Sequence, residues 1–176
     1  MPPHPLLNKE APTDIILKNQ HDEDVSLSDM IGQKTVVLFF YPKDNTFVCT
    51  KEVCGFRDNM EEINNLGAQV IGVSADSVKS KEQFANKQKV SYSLLADTEG
   101  QLRCAYQVPK VLFGFPQRTT YVIGKDGTIQ HVFESFFNAG HHVNSVLKVL
   151  KEEQTEPEVT VTEPTPATEQ QQQEEE

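Results

Sequence analysis

The sequence predicts an α/β domain, a central mixed β-sheet flanked by helices, and three observations carry that expectation. Through the first half of the chain, apolar runs of strand length alternate with stretches whose apolar residues recur three and four apart. Such alternation implies parallel strands joined by crossover helices. Further on, the GKDG turn signal at 124–127 separates two β-favouring runs, which adds antiparallel strands. A last amphipathic stretch, 141–151, closes the domain with a helix.

Residues 1–12 carry four prolines and read as an irregular arm. A short strand is expected at 14–18, followed by a polar turn at 20–24. Residues 36–41 form a continuous β-favouring run, the pattern of a strand covered on both faces. From 50 to 66 the positions Val53, Phe56, Met60, Ile63 and Leu66 predict one amphipathic helix, ended by Gly67. A buried strand at 69–74, a helix at 77–89, a short strand at 94–96 and a short helix at 98–106 follow. Two prolines and a glycine make 108–117 a surface loop, and strands are expected at 119–123 and 128–134. A β-α-β unit followed by β-β-α, with a cysteine at the first strand–helix junction, is the thioredoxin-like layout.

Composition divides the 176 residues in two. From Gln154 onward there are seven glutamates, no lysine or arginine, and repeated Pro, Thr and Gln. This segment is expected to be a disordered acidic tail, because it cannot bury enough apolar surface to offset chain entropy. It accounts for all but three of the ten net negative charges, so residues 1–153 are an ordinary domain with no basic footprint for nucleic acid. No apolar run approaches the roughly 18 residues that span a membrane. The N-terminus lacks the pattern of a secretory leader, and the expected location is cytoplasmic, with nucleus or organelle left open. Three cysteines in such a chain argue for reactive or buried thiols rather than a disulfide framework. Nothing calls for a metal or a cofactor, since four well-spaced Cys or His ligands cannot be assembled near the cysteines.

Chemistry concentrates where the 36–41 strand meets the following helix. Cys49 lies at the helix start, where unpaired N–H groups and the dipole favour the thiolate, the nucleophilic form. Arg118, just before the 119–123 strand, is the candidate cation for that thiolate. Thr46, three residues before Cys49, offers a hydroxyl to a reacting oxygen or to sulfur. Pro42 fixes the chain as it leaves the strand. Glu52, three residues into the helix, can orient a guanidinium by a charge-assisted pair.

The pattern P-x-x-x-T-x-x-C, here Pro42, Thr46 and Cys49, with the later Arg118, resembles the active site of peroxiredoxins. The run FYPKDNTFVCTKEVCGFRDN is similar to the peroxiredoxin Q, or bacterioferritin comigratory protein, subgroup, whose second cysteine follows the first by five residues, as Cys54 does here. The likeness spans roughly residues 5–152 and implies a thiol peroxidase for hydrogen peroxide and alkyl hydroperoxides. It implies Cys49 as the peroxidatic residue, Cys54 as the resolving one, Thr46 and Arg118 as activating groups and Pro42 as a shield. It further implies a Cys49–Cys54 disulfide recycled by thioredoxin or a similar dithiol, and a monomer. Two departures stand out: Phe47-Val48 replaces the subgroup's usual Pro-Gly, and no cysteine occurs around 84–86 or after Cys104. If both cysteines lie on one helix, five residues put their Cα atoms about 8–9 Å apart, beyond the roughly 4.4–6.8 Å of a disulfide. The helix must then unwind for the two to join.

Other features read more plainly. Cys104 is expected to be a half-buried helical residue, His141 and His142 a solvated doublet, and the 39–41 aromatics core and pocket wall. Two rival functions are a general thiol–disulfide oxidoreductase, which would normally carry C-x-x-C, and a redox-regulated interaction module using the acidic tail.

Overall fold

The computed structural model describes residues 2–155. Its centre is a five-stranded sheet in the order β5-β4-β3-β6-β7, formed by β3 (Thr35–Phe40), β4 (Ala68–Ser74), β5 (Ser93–Ala96), β6 (Thr119–Ile123) and β7 (Ile129–Glu134). The β3–β4 and β4–β5 pairs are parallel, whereas β6 runs antiparallel to β3 and to β7. This is the predicted mixed sheet. A separate hairpin joins β1 (Ile16–Lys18) to β2 (Asp24–Ser26), so the polar segment at 20–24 is its turn and β2 is a strand the sequence reading did not include.

Every residue of β3 is buried, and its pleat divides the core. Val37 and Phe39 point towards α1 (Phe47–Asp58), α3 (Val78–Gln88) and α5 (Ala139–Thr155), among Phe56, Phe84, Val143 and Val146. Val36, Leu38 and Phe40 point to the opposite side, among Tyr106, Tyr121 and Ile129. The proline-rich arm is tied down there: Ile129 N–H donates to Lys9 O, and Asn8 N–H to Ile129 O.

The predicted 50–66 helix is two helices. The first, α1, starts at Phe47, and α2 (Met60–Asn65) follows a break at Asn59. The physical cause is local competition: the Asn59 side-chain amide donates to Gly55 O at 2.7 Å, and its backbone leaves the helical region at φ −105°, ψ 8°. The short helix expected at 98–106 shrinks to α4 (Gln101–Ala105), capped by Asp97, whose carboxylate accepts from Leu102 and Arg103 N–H. Because α4 is so short, Cys104 lies exposed, not half-buried. Helix α5 begins two residues before the predicted start and runs to Thr155, past the expected tail boundary. Residues 156–176, on which the disordered-tail expectation falls, lie outside the described residues.

Helix α1 packs directly on α5. A Cβ added at Gly55 would come within 2.9 Å of Val143 Cγ2, so only glycine lets the two helices approach this closely. That approach positions the functional site.

Candidate active site

Strand β3 delivers the chain to the site through Tyr41, whose N–H still bonds Val73 O at 3.0 Å. Pro42, half-buried, then ends the ladder because it has no donor. Asn45 takes a left-handed conformation, φ 61°, a region that Asn tolerates better than most residues. This turns the chain into the extended Thr46, the residue before α1. Cys49 therefore sits in the first turn of α1, 1% exposed.

Arg118 reaches it from the start of β6. Its backbone O accepts from Ser135 N–H, and its Nε donates to Phe136 O at 3.0 Å. With the stem fixed at both points, Nη2 lies 3.2 Å from Cys49 Sγ and Nη1 3.3 Å from Glu52 Oε1. All three groups are buried, Arg118 at 2% and Glu52 at 0% exposure. The sequence reading placed these three residues in one site, and the fold brings them into contact. Thr46 is different: its hydroxyl is exposed and donates to Lys43 O at 2.9 Å, closing the loop on itself.

Burial pushes the Glu52 carboxyl up to about 8, against the pull of Arg118. A neutral Glu52 still offers Oε1 to the guanidinium while leaving the full positive charge to Cys49. Glu52 Oε2 has no hydrogen-bond partner among the described residues and faces His142 Nε2 at 3.8 Å.

His142 corrects the expectation of a solvated doublet, for it is fully buried. Its ring bridges Thr120 Oγ1 at 2.8 Å and Ser135 O at 2.9 Å. Nε2–H donates to the carbonyl, so Nδ1 accepts from the threonine. Burial, reinforced by Arg118 and His141, pushes His142 down to about 4, so the ring is neutral near pH 7. A signal was available: positions 142, 146, 149 and 150 form one stripe of α5, and the other three are valine and leucine.

Cys54 lies one and a half turns further along α1 in another environment. It is half-buried, and its thiol donates to Gln88 Oε1 at 3.3 Å. Burial pushes this thiol up, opposed by Arg57, which is itself held by Gln88 O at 2.6 Å. An open cleft of about 450 Å³ beside Cys54 is lined by Phe47, Lys51, Lys87 and Gln88. A neighbouring cleft of about 510 Å³ runs between Phe47, Phe137 and Val143; Cys49 itself lines neither. Phe47 stands 75% exposed, with the Lys51 ammonium 4.4 Å from its ring centre.

Two further buried groups were missed in the sequence. Lys81 of α3 and Asp44 of the β3–α1 loop pair at 2.9 Å, both beyond the reach of solvent. The signal was a lysine on the Val78, Phe84, Ala85 face of a helix. Among the described residues, no group of three or more His, Cys, Asp or Glu could hold a metal ion.

Comparison with known proteins gives this geometry its family. Residues 7–132 match the AhpC/TSA family model. The chain belongs to that family. It is 43% identical over 142 residues to a chloroplastic peroxiredoxin Q of Sedum lineare, covering 80% of this chain and 76% of the relative. With a chloroplastic peroxiredoxin Q of Gentiana triflora the identity is 42%, and the chain spans 65% of that relative's length. Among solved structures, the peroxidoxin BcpB of Mycobacterium tuberculosis superposes with a TM-score of 0.77 at 33% identity, covering 83% of this chain and 96% of the other. A peroxiredoxin Q of Xanthomonas campestris gives 0.75 at 29%, covering 81% and 95%. The fold is therefore the thioredoxin-like one of peroxiredoxins, in the peroxiredoxin Q and bacterioferritin comigratory protein branch.

Proposed function

We propose that this peroxiredoxin is a thiol peroxidase in which Cys49 attacks hydrogen peroxide and alkyl hydroperoxides. The observation that carries the reading is the buried Arg118 guanidinium, 3.2 Å from a cysteine in the first turn of α1. A cation and a helix N-terminus both stabilise a thiolate. Sulfur bonds to one peroxide oxygen, the O–O bond breaks, and the departing oxygen takes a proton to leave as water or alcohol. Pro42 screens the site and Thr46, after rotating from Lys43 O, donates to the peroxide. Among the structural neighbours is a bacterioferritin comigratory protein of Xanthomonas campestris studied for alkyl peroxide reduction, which supports the wider substrate class.

Cys54 then condenses with the Cys49 sulfenic acid, forming the S–S bond and releasing water. Both residues lie inside α1, so the helix opens for this step. The Cys54 thiol, held up by burial and donating to Gln88 Oε1, is kept protonated until then. Thioredoxin or a similar dithiol reduces the disulfide by exchange, becoming oxidised itself. The protein acts as a monomer without cofactor or metal. Chloroplastic relatives beside bacterial structural neighbours fit the cytoplasm and an organelle alike.

The test is peroxide consumption by the full chain with thioredoxin, its reductase and NADPH. Cys49→Ser should abolish it; retained activity overturns the proposal. Cys54→Ser should leave the first oxidation intact and stop recycling. Tryptic cleavage after Lys51 separates the two cysteines, so mass spectrometry of oxidised protein should find two peptides joined only through sulfur. Normal turnover of the Cys54 variant would assign resolution to another thiol.

A further inference from the structure

Among the described residues, Lys81 is the most completely buried cation outside the Arg118–Cys49 contact, and its three protons have three acceptors. Nζ donates to Tyr41 Oη at 2.7 Å, to Asp44 Oδ1 at 2.9 Å and to Ser74 Oγ. The acceptors are themselves ordered. Tyr41 Oη donates to Asp44 Oδ1 at 2.6 Å, and Ser74 Oγ to Asp76 Oδ2 at 2.6 Å. Asp44 gathers the most contacts: Ser80 Oγ donates to its Oδ2 at 2.8 Å, and its own N–H donates to Asp76 Oδ2 at 2.8 Å. It is thus held from the end of β3, the end of β4 and the first turns of α3.

Asp44 belongs to none of those elements. It is the middle of the loop between Pro42 and Thr46, adjacent to the left-handed Asn45 and five residues before Cys49. The Thr46–Lys43 bond is internal to this loop, so it fixes the loop's shape without fixing its place. The Asp44 cluster ties that loop to the sheet.

We propose that Lys81 is a positioning residue of the peroxide site, which through Asp44 holds the 42–46 loop and the first turn of α1 in the arrangement that reacts with peroxide and opposes their opening. The inference rests on the peroxidase reading, in which α1 opens to join Cys49 to Cys54. An anchor of this kind acts with opposite sign on the two steps. It favours oxidation of Cys49, which needs the folded turn, and retards disulfide formation, which needs the turn released. A residue that merely adds stability would not divide its effects in this way.

Lys81→Met in the full chain is the test, with Asp44→Asn as a milder variant that keeps the Tyr41 and Ser74 bonds to Lys81. Single-turnover oxidation of Cys49 should fall between about tenfold and about a hundredfold, the scale of a small misplacement of a reacting group. Disulfide formation from the sulfenic acid should accelerate, and less sulfinic acid should accumulate at high peroxide. In the reduced protein, hydrogen exchange of amides 44–52 should quicken at least about tenfold while β4 and β6 keep their protection. Unchanged exchange at 44–52, equal loss of protection in β4 and β6, or slowing of both chemical steps would each overturn the proposal. If the parent chain consumed no peroxide, the proposed function would fall, and the exchange pattern would still decide whether Lys81 anchors the loop.

Discussion

Arg118 and Lys81 are both buried cations facing carboxylates near the start of α1, yet their surroundings differ in kind. Lys81 is saturated, with one acceptor for each proton, and Asp44 is bonded through both oxygens and its own N–H. Arg118 is tethered at Nε but aims Nη2 at a sulfur, and its partner Glu52 keeps one oxygen without a hydrogen-bond partner among the described residues. A closed network resists change, because any displacement strands a buried charge. An incomplete one leaves protonation and partner open, which is what a site of chemistry requires. The closed network holds the loop before α1, and the open one surrounds the thiol proposed to react.

The comparison breaks most sharply at the closed network. Asp44→Ala removes the closer counter-charge of buried Lys81, leaving only Asp76 Oδ2 at 4.0 Å, and should cost about 3–5 kcal/mol of stability, read by denaturant unfolding. A loss under 1 kcal/mol would show the network to be looser than its geometry. At the open site the large effect falls on rate instead. Arg118→Met should slow Cys49 oxidation by about 10²–10³-fold, measured by single-turnover mass spectrometry, and a change below threefold would remove Arg118 from the mechanism.

Glu52 distinguishes the two sites by pH. Its folded carboxyl is raised to about 8 from an ordinary 4.5, so across that window the folded state holds a proton that the unfolded chain has released. Stability from this group is complete below pH 4.5 and is lost as pH rises towards 8. His142, pushed down to about 4 from an ordinary 6.5, acts in the opposite sense, adding stability as pH climbs between those values. The two offset one another up to about pH 6.5. Above it Glu52 acts alone, and stability should decline by about 2 kcal/mol by pH 8. Glu52→Gln should flatten that decline, and an equal slope in the variant would place the titration elsewhere. The smallest effect belongs to Cys104. Exposed on α4, it should tolerate serine within about 0.5 kcal/mol and with unaltered peroxide turnover.

What could be read from the sequence follows from how locally each feature is encoded. Strand β3, the helix start at Cys49 and the 124–127 turn announce themselves through runs, periods and turn residues a few positions apart. The meeting of Arg118 with Cys49 was legible only through a known spacing of motif residues, since 69 positions separate them. Lys81 and His142 were missed because a polar residue on a mostly apolar helix face is usually solvated at its tip. Here bonds from Tyr41 and Asp44, and from Thr120 and Ser135, satisfy the buried atoms, and those partners come from other elements. The break at Asn59 escaped for a similar reason. Apolar spacing continues straight through it, and the interruption shows only in the fold, in the amide's bond to Gly55 O and the non-helical backbone of Asn59.

That interruption has a mechanical meaning. Helix α2 leads directly into β4, the strand pairing with both β3 and β5. Were 47–65 one uninterrupted rod, the helix opening proposed at Cys49 would pull on the middle of the sheet. In the cycle proposed here, the break at Asn59 separates α1, which opens, from α2, which leads into β4, so the second strand of the sheet stays registered.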